Sequence, residues 1–154
     1  MLCITEVYEG SALEAVKVLL RQYAKARDFD AALKNFDREL AQLPGKYAAP
    51  TGALLLATYD GVAAACVALQ ALKDGVCEMK RLYVLPNFRR KGIAKALSIQ
   101  LLQIAKDIGY TTMKLDTHPN MLAAHHLYKS LGFKATARYN ENPIEGILFF
   151  ERIL

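Results

Sequence analysis

The apolar run Leu82-Tyr83-Val84-Leu85 stops at Pro86. A few residues on, the basic stretch Arg89-Arg90-Lys91-Gly92-Ile93-Ala94 opens a long amphipathic helix. A strand, a short glycine-containing loop and a helix N-terminus in this order restrict the chain to folds in which a helix packs back onto a sheet. They also make an anion site. The first backbone N–H groups of a helix have no internal partner, and the helix dipole favours negative charge there. Gly92 admits a ligand close to the backbone, Ala94 is nearly as small, and the three cations of the loop add long-range attraction. A pyrophosphate matches this chemistry, and a solvated charge run is the competing reading. Neither G-x-x-x-x-G-K-S/T nor G-x-G-x-x-G occurs in the chain, so the two common nucleotide loops are excluded.

The rest of the chain alternates. Leu2–Tyr8 reads as a strand. Ser11 and Glu14 form a capping box ahead of a helix whose apolar face is Leu13, Val16, Leu19, Leu20 and Tyr23. A second helix is expected from about Asp30 to Gln42, with Leu33, Phe36, Leu40 and Leu43 on one face, stopped by Pro44-Gly45. Two strands, Ala53–Tyr59 and Val62–Leu69, flank Asp60-Gly61, the favoured chemistry of a tight hairpin turn. Asp74-Gly75 turns the chain into a strand over Val76–Leu85. The helix Gly92–Ile108 carries the stripe Ile93, Leu97, Leu101, Ile104, Ala105 and Ile108, with Gly109 as its end signal. A strand over Thr111–Asp116 precedes a helix over Met121–Leu131 with Asn120 as its N-cap. Phe133–Tyr139 and Gly146–Ile153 read as closing strands.

A length of 154 residues, 53% hydrophobic and 23% charged, fits one globular domain, 1–154. The net charge of +5 suits a polyanionic ligand and is too mild to demand nucleic acid. No run approaches the ~20 apolar residues of a membrane span. The N-terminus shows no signal-peptide pattern, and Cys3, Cys66 and Cys77 have no metal-type spacing. A cytoplasmic protein with buried, inert thiols is expected, acting as a monomer or homodimer without nucleic-acid or membrane partners. His125 and His126, about 100° apart on a helix, cannot share a metal, so no metal site is expected.

The loop spacing Arg/Gln-x-x-Gly-x-Gly/Ala, anchored on Arg89, Gly92 and Ala94, resembles the acetyl-CoA loop of the GCN5-related N-acetyltransferases, the GNAT superfamily. Glu78-Met79-Lys80-Arg81-Leu82-Tyr83-Val84 and the A-x-x-L-Y-x-x-x-G-F block from Ala124 to Phe133 resemble its other signature segments. The element order β-α-α-β-β-β-α-β-α-β-β is the order of that family over the whole chain. The resemblance implies an α/β (α+β) fold: a mixed, mostly antiparallel sheet with helices on both faces. Two central parallel strands, here Val76–Leu85 and Thr111–Asp116, splay apart around the pantetheine arm. It implies direct transfer of an acetyl group from acetyl-CoA, the co-substrate, to a primary amine of a small molecule or protein. A non-catalytic acyl-CoA-binding sensor module is the alternative.

The same resemblance distributes roles. Arg89, Arg90, Lys91, Gly92, Ile93, Ala94 and Lys95 would hold the pyrophosphate. The backbones of Leu82, Tyr83 and Val84 would pair with thioester and pantetheine. Asn120 would touch the coenzyme, with helix capping as its competing role. Glu78 is the candidate base; partial burial raises a carboxylate's proton affinity, and an ion pair with Lys80 or Arg81 is the competing role. Tyr128 is the candidate acid. A phenol with a pKa of about 10 protonates a thiolate of about 8.5 only modestly uphill. A core aromatic is its competing role, and His118 is an alternative base. The acceptor wall would draw on Tyr23, Asp28, Asp30, Phe36, Tyr47, Tyr139, Asn140, Glu141 and Glu145, an acidic and aromatic set suited to a cationic amine, although ordinary polar surface explains each as well.

Overall fold

The computed structural model describes residues 1–27 and 33–154. The expected acceptor-wall residues Asp28 and Asp30 lie outside the described residues. The elements are β1 (Leu2–Glu6), α1 (Gly10–Arg27), α2 (Leu33–Gln42), β2 (Ala53–Tyr59), β3 (Val62–Lys73), β4 (Val76–Val84), α3 (Ile93–Ile108), β5 (Thr112–Thr117), α4 (Leu122–Ser130), β6 (Lys134–Ala135) and β7 (Leu148–Ile153). They form one seven-stranded sheet in the order β1-β2-β3-β4-β5-β7-β6. Every pairing is antiparallel except β4 with β5.

Both faces of the sheet are covered, which is why β2 and β3 read as nearly unbroken apolar runs. Leu55, Val67, Leu69, Cys77, Met79, Met113 and Leu115 pack against Ile93, Leu97, Leu101 and Ala105 of α3 and against Tyr128 of α4. Leu54, Leu56, Cys66 and Ala68 pack on the other face against Val16, Leu19, Leu20 and Tyr23 of α1 and Phe36 and Leu40 of α2. The two sets alternate along each strand, as side chains of a pleated strand must. The expected stripe of α3 is buried except toward its C-terminal end, where Ile104 is half-buried and Ile108 exposed.

Turn chemistry fixes the joints. Asp60 and Gly61 both take positive φ, 49° and 81°, as a two-residue hairpin turn of this hand requires. At the end of α4 the Phe133 amide donates to the Tyr128 carbonyl and the Gly132 amide to that of Lys129, with Gly132 at φ 89°. This is the Schellman pattern, and its accompanying apolar contact is Tyr128 against Phe133, ring centroids 5.9 Å apart.

Four expectations are corrected. α1 begins at Gly10, one residue before Ser11, and Glu14 pairs with Lys17 at 3.3 Å. β3 extends past Leu69 to Lys73. Asn120 does not cap α4: Met121 holds the N-cap position, and no side chain caps it. The strand expected over Phe133–Tyr139 is only the pair Lys134–Ala135. One more bond to β7 follows, from the Thr136 amide to the Phe149 carbonyl; beyond it the chain leaves the sheet as its polar groups find partners elsewhere, the Arg138 guanidinium donating to the carbonyls of Asn140 and Asn142 at 3.3 and 3.1 Å.

The feature that positions the site is the pairing of β4 with β5. Their parallel register comprises Val76 with Thr112, Cys77 with Met113 and Glu78 with Lys114. Beyond Glu78 and Lys114 the two strands continue without pairing, and a gap opens between them.

Candidate active site

A cleft of about 1340 Å³ enters the gap between β4 and β5. Its walls come from Met79–Val84 of β4, the loop into α3, the end of β5, the first turns of α4, and the loop before β7, with Tyr23 and Phe36 at the α1–α2 side.

β4 turns away from β5 at a bulge. The register with β3 runs from Cys66–Tyr83 directly to Ala68–Lys80, so Arg81 and Leu82 stand opposite Val67 alone. Arg81 takes φ 60°, a left-handed conformation that costs a non-glycine residue on the order of 1 kcal/mol. Its side chain offsets that cost. The guanidinium donates to both carboxylate oxygens of Glu39 on α2, at 2.8 and 3.0 Å, and sits over the rings of Phe36 and Tyr23. Glu39 also accepts from the Tyr47 hydroxyl at 3.1 Å and lies 3.4 Å from Lys46. Burial alone would raise the Glu39 pKa; the Arg81 hydrogen bonds and charge outweigh it and hold the carboxyl below the ordinary range. Nothing in the residue pattern around Arg81 announced this network.

At the other end, α3 starts at Ile93 with Gly92 as N-cap residue and no side chain bonded to its first amides. The first intrahelical bond runs from the Ala96 amide to the Gly92 carbonyl, so the amides of Ile93, Ala94 and Lys95 precede it. Arg90 and Gly92 have φ 64° and 76°, a backbone suited to an anion-binding concavity, and a Cβ added at Gly92 would meet no protein atom within 4 Å. The space beside this backbone is therefore open to a ligand. Arg89, Arg90, Gly92, Ile93, Ala94 and Lys95 all line the cleft, as do Leu82, Tyr83 and Val84. Lys91 does not: its ammonium lies 5.1 Å from the centre of the Tyr59 ring. Arg89 donates from Nε to the Val84 carbonyl at 3.2 Å, which occupies one of the backbone groups expected to serve the ligand.

Tyr128 is buried and lines the cleft from α4, packed against Phe133 and Phe150. Asn120, exposed, also lines it, and its amide donates to His118 Nδ1 at 3.1 Å. His118 lines the cleft, whereas His125 is buried with Nε2 3.0 Å from the His118 carbonyl oxygen. Among the described residues, no group of three His, Cys, Asp or Glu side chains is placed to hold a metal, and no helix is long and apolar enough to cross a membrane.

Glu78 is 2% exposed and stands behind the wall of the cleft. Gln70 Nε2 donates to its Oε1 and the Tyr139 hydroxyl to its Oε2, each at 2.5 Å, and Lys80 Nζ lies 3.9 Å away. Burial and the nearby Glu78 carboxylate push the Tyr139 phenol far up, so it stays protonated. The acceptor wall differs from expectation. Tyr23, Phe36 and Asn140 line the cleft, but Tyr139 stands behind it with its hydroxyl on Glu78, Tyr47 is buried on Glu39, and Glu141 and Glu145 are exposed outside it. The acidic residue in the wall is instead Asp116, which accepts from the Asn140 and Asn142 side-chain amides. Its signal was present: Lys114 and Asp116 alternate with Met113 and Leu115, marking a polar face of β5. Burial holds the thiols of Cys66 and Cys77 up at about 12, consistent with inert side chains.

The acetyltransferase (GNAT) family model matches residues 14–133. An uncharacterized N-acetyltransferase of Schizosaccharomyces pombe is 39% identical over 139 residues, covering 89% of this chain and 85% of that one. An acetyltransferase of Streptococcus agalactiae superposes with a TM-score of 0.84 at 17% identity, over 99% of this chain and 98% of that one. The PaiA N-acetyltransferase of Thermoplasma acidophilum, solved in complex with coenzyme A, superposes with a TM-score of 0.77 at 19% identity, over 100% and 99% of the two chains. The chain belongs to the GNAT acetyltransferase family.

The Glu39–Arg81 pair yields a pH prediction. A carboxyl whose folded pKa is lowered contributes stability above its ordinary value of 4.5 and loses it as pH falls through the folded value. Glu39→Gln should cost about 1.5–3 kcal/mol at neutral pH, and that difference should shrink as the pH falls below Glu39's ordinary value of 4.5. Denaturant unfolding of both proteins across this range measures it; a difference independent of pH would contradict the assignment.

Proposed function

We propose that this protein is an acetyl-CoA-dependent N-acetyltransferase that moves the acetyl group directly to a primary amine. The observation that carries this reading is the coincidence of two features in one cleft: uncapped helix amides beside Gly92 at one end, and a β4 edge released from β5 at the other. The first suits a pyrophosphate and the second an arm with its own amides, since a strand edge presents N–H and C=O groups that need partners. The coenzyme thioester supplies the activated acetyl group. Arg89, Arg90 and Lys95 hold the diphosphate end by charge, with the amides of Ile93 and Ala94 as its hydrogen-bond donors. Leu82 and Val84 orient the arm through their backbones.

The chemistry needs an amine lone pair, a new C–N bond, and departure of the sulfur. The nitrogen attacks the thioester carbonyl carbon, the C–S bond breaks with its electron pair going to sulfur, and the nitrogen gives up a proton. Tyr128, on the α4 wall, is assigned to hydrogen-bond and protonate the departing sulfur. Glu78 is assigned as the proton sink. Both Glu78 and Tyr139 lie behind the wall, so solvent water carries the amine proton to the Tyr139 hydroxyl, whose own proton passes to Glu78 Oε2. The 2.5 Å contact between these oxygens supports that path.

The reading is tested by thiol release from acetyl-CoA in the presence of a broad panel of amines. Turnover with at least one amine is expected; coenzyme binding without turnover on any would favour a sensor module. Two variants test the parts. Gly92→Val places a side chain where φ is +76° and in the space assigned to the diphosphate, so acetyl-CoA affinity should fall by on the order of tenfold or more. Unchanged affinity by calorimetry in the folded variant would rule out the loop. Tyr128→Phe removes one hydroxyl; kcat should fall on the order of 10- to 1000-fold with affinity nearly kept. Near-normal turnover would make Tyr128 a packing residue.

A further inference from the structure

Two charges of opposite sign on the lips of the gap between β4 and β5, Lys80 and Asp116, are not matched by each other. Glu78 faces Lys114 in the last parallel pair; two residues further along each strand, past the end of the pairing, Lys80 and Asp116 lie on the two sides of the opening. Both belong to the polar set that alternates with Cys77, Met79, Met113 and Leu115, which are buried in the α3 core. Both line the cleft. They are not ion-paired with each other. The carboxylate near Lys80 is Glu78, at 3.9 Å, and its two oxygens are already engaged by Gln70 and Tyr139. The Lys80 charge is thus only partly countered.

Asp116 is held ready in a different way. The side-chain amides of Asn140 and Asn142 both donate to its Oδ2, at 2.6 and 3.3 Å, and Oδ1 takes neither. Those amides are themselves fixed, because Asn140 Oδ1 accepts from the Asn142 backbone amide and Asn142 Oδ1 from that of Ile144. Of the other cations around the gap, Arg81 is consumed by Glu39, Lys114 lies 3.8 Å from Glu151 and over the Tyr139 ring, and Arg89, Arg90 and Lys95 belong to the loop end. Among the described residues, Lys80 is therefore the cleft cation left for an acceptor.

We infer that the acceptor is a small amino-carboxylate, a molecule bearing an ammonium and a carboxylate a few bonds apart, with its ammonium on Asp116 and its carboxylate on Lys80. This rests on the N-acetyltransferase reading and narrows its substrate class. A diamine would place a second cation beside Lys80. A protein lysine carries no carboxylate near its amine and would leave Lys80 without a partner. An α-amino acid presents one charge of each sign, an ammonium for Asp116 and a carboxylate for Lys80.

The test compares free amino acids with their carboxamides, with diamines, and with short peptides, using thiol release and the wild-type chain. An amino acid should be the best acceptor, with kcat/KM on the order of 10- to 100-fold above its carboxamide, the usual range for a charged hydrogen bond. Lys80→Gln should reduce that ratio towards one, and Asp116→Asn should raise KM for the amino acid and its carboxamide alike. Preference for a diamine or a peptide amine, or a ratio untouched by Lys80→Gln, would overturn the inference. If no amine turns over, the transferase reading fails separately, and calorimetric titration of amino acids into the coenzyme-A-loaded protein decides the subsite: binding that Lys80→Gln weakens supports it, and no binding overturns it.

Discussion

The bidentate contact between Arg81 and Glu39 is the interaction on which the site depends. It joins a strained residue in the middle of the sheet to a helix on its surface. Without it the left-handed turn at Arg81 has no compensation, and β4 has less reason to bulge away from β3 and leave β5. The contact also sets where α2 lies, because Phe36 and Tyr23 pack against the same guanidinium. One ion pair therefore fixes both the width of the gap and the wall on its acceptor side. A bulge in a fully covered sheet disrupts pairing locally, so it persists only where neighbours over-determine it.

The cleft that results is divided by charge. The loop end gathers Arg89, Arg90 and Lys95 around backbone amides, a setting for a group with several negative charges. The acceptor end is nearly balanced, with Lys80 and Asp116 on opposite lips and the Glu78–Tyr139–Gln70 cluster behind them. Tyr128 stands on the α4 wall, held by the Schellman turn that also docks Phe133 under it. The two ends need different partners, and only the gap connects them.

Local chemistry was readable and long-range chemistry was not. The helix stripe Ile93–Leu97–Leu101–Ala105, the Asp60-Gly61 turn and the glycine stop at Gly132 follow from period and turn preference, and they stand in the structure where the residues place them. The uncapped helix start at Gly92 was readable too, because Gly92 and the first helical residues lie within a few positions of each other. Arg81 reads as one more cation beside Lys80 and Arg89; its partner is Glu39, far along the chain, and no spacing encodes that. The segment after Ala135 alternates well enough to read as a strand, yet Arg138, Asn140 and Asn142 bond into a loop that closes on Asp116. Lys91 looks equivalent to its neighbours in the basic run, but its ammonium lies over Tyr59. In each case a tertiary partner overrode a local pattern.

The central claim is that the gap between β4 and β5 is shaped for the pantetheine arm and that the loop at Gly92 takes the diphosphate. A crystal structure of the protein with coenzyme A tests it most directly. The account predicts the arm lying between β4 and β5, hydrogen-bonded to the backbone of Leu82 to Val84, with the diphosphate on the amides between Arg90 and Lys95. Coenzyme bound elsewhere on the surface, or β4 and β5 zipped together past Glu78 and Lys114 in the complex, would contradict it.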